Sequence, residues 1–94
     1  MPVAVAMVEI AIPFAHSLKD KRHVVKSIIA RLRNRFNVSV AEMEYMDVWQ
    51  RAVLGVACIS NDGKVANGEI DKAIDYIESS EGEYQVINID VQIL

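Results

Sequence analysis

The stretch from Val3 to Ile12 constrains the fold most. It reads VAVAMVEIAI, almost unbroken apolar, rich in Val and Ile and closed by Pro13. That is long for a buried strand but short for a helix of this composition, so it is assigned to a strand. Side chains along a strand alternate between faces. Ala4, Ala6, Val8, Ile10 and Ile12 share the parity without a charge, which is assigned to the core. Val3, Val5, Met7, Glu9 and Ala11 take the other face.

The next periodicity is helical. Ser17 is a good N-cap with Asp20 three residues on, a capping box with Asp in place of Glu or Gln. Leu18, Val25, Ile28, Ile29, Leu32 and Phe36 then follow one stripe to Arg35 and beyond. Strand alternation returns over residues 36–45, with Val38 and Val40 on one parity and Ser39, Ala41, Met43 and Tyr45 on the other. Glu42 and Glu44 share the parity of Val38, so that face is expected to reach water before the strand ends. Met46–Asp47 reads as a turn, and Ala52 to Ile59 as a strand with Ala52, Leu54, Val56 and Cys58 inward.

Ser60-Asn61-Asp62-Gly63 is a turn signal. Lys64 to Ser79 is a second helix, with Ala66, Ile70, Ala73, Ile74 and Ile77 on one side and Gly68 costing ~1 kcal/mol relative to Ala. After a turn over residues 80–83, Tyr84 to Leu94 is the last strand, with Ile87, Ile89, Val91 and Ile93 inward.

The order β-α-β-β-α-β is the split βαβ arrangement. The expected class is α+β, ferredoxin-like, with a four-stranded antiparallel sheet and two helices on one face. Ninety-four residues, 52% hydrophobic and 24% charged, suit a single domain over 1–94. The uncovered sheet face would show Val3, Val5, Met7, Ala41, Met43, Val53, Gly55, Ala57, Ile59 and Val86. That face is too apolar to be left in water, and a homo-oligomer interface through Val3, Val5, Met7, Met43, Val53, Ala57 and Ile59 is expected.

Location follows from weaker signals. The start MPVAVAMVEIAIP lacks a charged leader and Glu9 interrupts it, which argues against a secretory signal. No run approaches the ~18 apolar residues of a membrane span. One cysteine, Cys58, suits a reducing compartment. The expectation is a cytoplasmic protein with no membrane partner.

Charge gives the main functional lead. Residues 17–35 hold seven of the ten Lys and Arg and one acid, a segment of +6 in a chain of net −3. At ~100° per residue, Lys19, Arg22, His23, Lys26 and Arg33 fall in one sector on a flank of the apolar stripe, with Arg31 and Arg35 on the other flank. Lys19, Arg22, His23 and Lys26 stand at i, i+3, i+4 and i+7, a spacing that lines up along a phosphate backbone. The alternative is a solvated face, or one paired with acids of the second helix or a partner chain.

Asp47-Val48-Trp49-Gln50-Arg51 is the second candidate. Trp49 beside Arg51 can stack on a base or a partner surface. The plainer account makes Trp49 a lid on the core and Asp47–Arg51 a local ion pair. The open face lacks the paired central aromatics of an RRM-type sheet, so base stacking there is not expected. His16, His23 and Cys58 lack metal-ligand spacing. No nucleophile–base set is visible, and neither a cofactor nor enzymatic activity is expected.

SLKDKRHVVKSIIARLRNRFNVSVAE, followed by DVWQRAVLGVACISND, resembles the YlxP-like family of small bacterial proteins, a domain of unknown function. The resemblance covers essentially the whole chain and departs at Asn67–Gly68. It implies a ferredoxin-like fold and genes near those for translation initiation factor two and ribosome-binding factor A, and it brings no activity. Two functions therefore lead: a non-enzymatic RNA- or ribosome-associated module, or a protein-interaction module that dimerises through the open sheet face with no nucleic-acid role. A small enzyme or metabolite-binding domain stands third, on fold analogy alone.

Overall fold

The computed structural model describes residues 2–80 and 82–94. Its elements are β1 (Val3–Ala11), α1 (Leu18–Arg35), β2 (Ser39–Glu44), β3 (Arg51–Ile59), α2 (Gly63–Ser79) and β4 (Gln85–Ile93). The strands form one antiparallel sheet in the order β2-β3-β1-β4. This is the ferredoxin-like topology.

Alternation in β1 builds the core as expected. Ala4, Ala6, Val8 and Ile10 are buried and oppose Cys58, Val56, Leu54 and Ala52 of β3. Both helices cover this face: Val24, Val25, Ile28 and Leu32 from α1, and Ala66, Ile70, Ala73 and Ile77 from α2. Each fully buried Ile or Leu contributes roughly 1.5–3 kcal/mol relative to an exposed one. α2 starts at Gly63, with Asp62 as its N-cap accepting from the Lys64 N–H at 2.9 Å. Asn67 and Gly68 lie inside the helix.

Two bulges change what alternation alone implies. In β4 the register shifts opposite Glu9/Ile10, so Val86 opposes Ile10 and Ile89 opposes Val8. Val86 therefore lies on the helix side, packed against the core, and not on the open face. Ile89, Val91 and Ile93 do point to the helix side, but Val91 and Ile93 are 40% and 55% exposed because β4 is an edge strand. Ile87 sits at the bulge and is exposed. On the open side, β4 contributes Asn88, Asp90 and Gln92, opposite Glu9, Met7 and Val5.

In β2 the shift falls between Glu42 and Glu44, so Glu44 opposes Val53 and the strand is shorter than expected. The turn expected over residues 80–83 includes Glu81, which lies outside the described residues.

Ala11, the end of β1, opposes both Arg51 at the start of β3 and Gln85 at the start of β4. The β1–α1, β2–β3 and α2–β4 connections thus gather at one end of the sheet, and the candidate side chains lie there or along α1.

Candidate nucleic-acid interface

Ser17 caps α1. Its hydroxyl accepts the Asp20 N–H at 3.0 Å, and Asp20 Oδ2 accepts the His16 N–H at 3.0 Å. The buried side of the helix is Lys21, Val24, Val25, Ile28 and Leu32, whereas Leu18, Ile29 and Phe36 are only half-buried. The helix is thus turned relative to the expected stripe. At ~100° per residue the basic strip moves from a flank to about 150° from the centre of the buried side. Lys19, Arg22, His23, Lys26 and Arg33 are all exposed on the outer surface.

The strip divides on closer inspection. Arg33 Nη2 donates to the Val40 carbonyl at 2.9 Å, which ties that guanidinium to edge strand β2. Ion pairs among the described residues join Lys21 to Glu42, Arg51 to Glu9 and Lys72 to Glu69. Lys19, Arg22 and Lys26 take part in none of these, and none of the three pairs joins α1 to an acid of α2. Arg31 and Arg35 serve the contact between helices. Arg35 lies over the Tyr76 ring at 4.7 Å, and Phe36 meets that ring edge-on at 5.9 Å. Burial pushes the Tyr76 hydroxyl up, but the charge and hydrogen bond of Arg31, helped by Arg35 and Ser80, outweigh it and leave its pKa lowered.

Lys21 was hidden among the helix charges. It is 0% exposed, and its ammonium sits 2.7 Å from Glu42 Oε2 while donating to the Tyr45 carbonyl and, at 3.5 Å, to that of Met46. No second donor among the described residues reaches Glu42 Oε2. Glu42 therefore meets a buried cation, not water as alternation suggested. The signal was present: Lys21 precedes Val24, Val25 and Ile28 by three, four and seven positions, which is core phase. Tyr45, whose carbonyl Lys21 holds, has a φ of 63°, a left-handed conformation that is costly for a bulky residue.

The Trp49–Arg51 cluster departs from its plainer account as a lid with a local ion pair. Arg51 pairs with Glu9 across the sheet and lies over the Tyr45 ring at 5.1 Å, so its ion pair is not with Asp47. Trp49 is 49% exposed, which makes it no lid on the core. Gln50 is structural: Nε2 donates to the carbonyls of Pro13 at 3.1 Å and Ala15 at 3.0 Å, and its own carbonyl accepts the Ile12 N–H at 3.0 Å. Lys21 and Gln50 therefore fasten the β2–β3 and β1–α1 connections to the body of the domain.

The open sheet face carries Val3, Val5, Met7, Val53, Ala57 and Ile59, with Met43 folded across Gly55. A Cβ at Gly55 would meet Met43 Cγ at 2.8 Å, so the close approach needs glycine there. Of these residues Val53 is buried, Val3, Val5, Met7 and Ala57 are half-buried, and Ile59 and Met43 are exposed.

At the loop end, an open cleft of ≈520 Å³ lies between the start of α1 and the α2–β4 connection. Among the described residues no cluster of three His, Cys, Asp or Glu is placed to hold a metal. Burial, and secondarily Glu69, pushes the Cys58 thiol up, which suppresses the reactive thiolate. No described helix is long and apolar enough to cross a membrane.

Comparison with known proteins agrees with this architecture. The chain is 42% identical over 65 residues to the uncharacterized protein YlxP of Bacillus subtilis (strain 168), covering 69% of this chain and 71% of that protein. Two solved structures share the fold. The de novo designed protein Foldit4 has a TM-score of 0.55 at 11% identity, over 100% of this chain and 97% of that one. The de novo designed protein LFR1 1, described as having a ferredoxin fold, has a TM-score of 0.54 at 15% identity, over 100% and 84%. The family model described as protein of unknown function (DUF503) matches residues 3–91, and with the YlxP match this shows that the chain belongs to the DUF503, YlxP-like family.

Proposed function

We propose that this chain is a non-enzymatic, cytoplasmic RNA-binding module that takes phosphates along the outward side of α1, in a ribosome-associated setting. The observation that carries it is the strip Lys19, Arg22, His23 and Lys26. These residues face away from the core, and its three permanent cations take no part in the ion pairs among the described residues. Exposed cations at helical spacing bind phosphates by releasing counterions, so affinity should fall steeply with salt. Three such contacts to a single strand give a log–log salt slope of about −2.

Fluorescence anisotropy with labelled RNA at low salt tests this. The triple variant Lys19→Glu/Arg22→Glu/Lys26→Glu should bind at least ~10-fold more weakly and flatten the salt slope. Absence of RNA affinity at low salt would overturn the reading. Ribosomal fractions pulled down by the wild type and lost by the same variant would support the ribosomal setting.

A second reading has its own observation, the uncovered apolar sheet face centred on Val5, Met7, Val53 and Ala57. It makes the chain a homodimer through that face. This is compatible with RNA binding, because the strip and the sheet face lie on opposite sides of the molecule.

A further inference from the structure

The loop end holds a feature that the basic strip does not explain. Phe14 is 76% exposed, more than any other large apolar side chain among the described residues. Its backbone is nonetheless fastened on both sides. Gln50 Nε2 donates to the carbonyls of Pro13 and Ala15, the two residues flanking Phe14. The Ala15 N–H donates to the Ile12 carbonyl at 3.1 Å, and Ile12 and Ala15 are both buried. An aromatic ring presented to water from a pinned backbone has only its own side-chain torsions left to order on binding.

Phe14 lines the ≈520 Å³ cleft with Lys19, His23, Asp20 and Glu83, over buried Ile12. That volume falls within the ~300–1,000 Å³ range of small-ligand sites. The charges sort what enters. Asp20 is committed to the helix cap through the His16 N–H, and Glu83 stands exposed on the opposite wall. Phosphate in the cleft would be repelled by both carboxylates, whereas a neutral base would not be. Lys19 and His23 line the cleft and also open the strip that runs on to Arg22 and Lys26.

Building on the RNA reading above, the geometry points to single-stranded RNA as the ligand. One unpaired base enters the cleft and stacks on Phe14, and its neighbouring phosphates follow Lys19, Arg22 and Lys26. A duplex keeps its bases stacked on one another and cannot supply this contact.

Anisotropy on the full chain decides the matter, using a labelled RNA of roughly ten nucleotides, single-stranded and annealed to its complement. The single strand should bind at least ~5-fold tighter than the duplex, the lower end of the effect of stacking one base. Phe14→Ala should abolish that difference and Phe14→Trp should keep it. Phe14→Leu, apolar without a π face, should behave like alanine. Circular dichroism should show all three folded, since the side chain is exposed. If Phe14→Ala binds the single strand as wild type does while the Lys19/Arg22/Lys26 charge reversal still weakens it, base stacking is overturned and phosphate binding by α1 stands. If neither form of RNA binds at low salt, both readings fall.

Discussion

Lys21 and Glu42 place a charge pair between the buried side of α1 and β2, where parity had put Glu42 in water. A buried pair roughly offsets its own desolvation, but removing one partner strands the other. Lys21→Met should therefore lower unfolding stability by about 3–5 kcal/mol, because Glu42 Oε2 would lose its cation and the Tyr45 carbonyl one of its donors. The double variant Lys21→Met/Glu42→Leu should recover most of that loss, read as the urea midpoint of each variant. A double variant no better than the single one would show that holding Tyr45 and Met46 matters more than the charge pair. This residue explains why the site was only partly legible. Its phase along the helix was visible, but a lysine among seven basic residues is read as solvated unless its acid is known. Glu42 lies on another element, so only the tertiary structure joins them. Gln50 was masked in the same way, since its partners are backbone carbonyls 35 and 37 positions away. Cys58 was legible from parity alone. Its raised pKa means that folding favours the thiol, so this group lends stability below its ordinary 9.0 and loses that contribution as pH rises toward the folded value. Native protein at neutral pH should react with iodoacetamide at least ~10-fold more slowly than urea-unfolded protein, measured by mass spectrometry.

At the scale of elements, sequence periodicity placed all six elements in order, and the departures have local causes. Lys21 and Val24 join the buried side of α1 and turn the helix, which carries the basic strip from a flank to the outer surface. The bulges at Met43 and Ile87 each reverse parity between the residues on their two sides, which moves Glu44 and Val86 off their expected faces, and alternation carries no mark of an inserted residue. Gly68 in α2 offers a clean test of the local account. A Cβ there would meet nothing within 4 Å, so Gly68→Ala gains helix propensity without a clash. It should stabilise the protein by about 0.5–1 kcal/mol, measured by thermal or urea unfolding. The contact between helices is tested by titration. Because Arg31 and Arg35 lower the Tyr76 pKa, Arg31→Ala should move its ionisation to higher pH, followed by near-ultraviolet absorbance with Tyr45 and Tyr84 replaced by Phe.

Across the whole molecule, charge and apolar surface separate onto opposite sides. The outer side of α1 is basic, and the far side of the sheet is apolar at its centre. β4 borders that centre with Asn88, Asp90 and Gln92, and the Arg51–Glu9 pair sits toward the loop end. This layout suits a twofold contact in which the central apolar residues meet their own copies and the polar edges remain wet. The register sharpens the test. Val5 and Ala57 are Cα partners, so Val5→Glu and Ala57→Glu each put a carboxylate at the same central position of the face. An unpaired charge buried there costs several kcal/mol, enough to weaken a dimer by more than ~100-fold. Sedimentation should show a dimer for the wild type and monomers for both variants. Lys19→Glu on the opposite side should leave the dimer intact. A wild type that sediments as a monomer at high micromolar concentration would remove the sheet face from consideration as a self-interface and leave RNA binding by α1 as the single function to test.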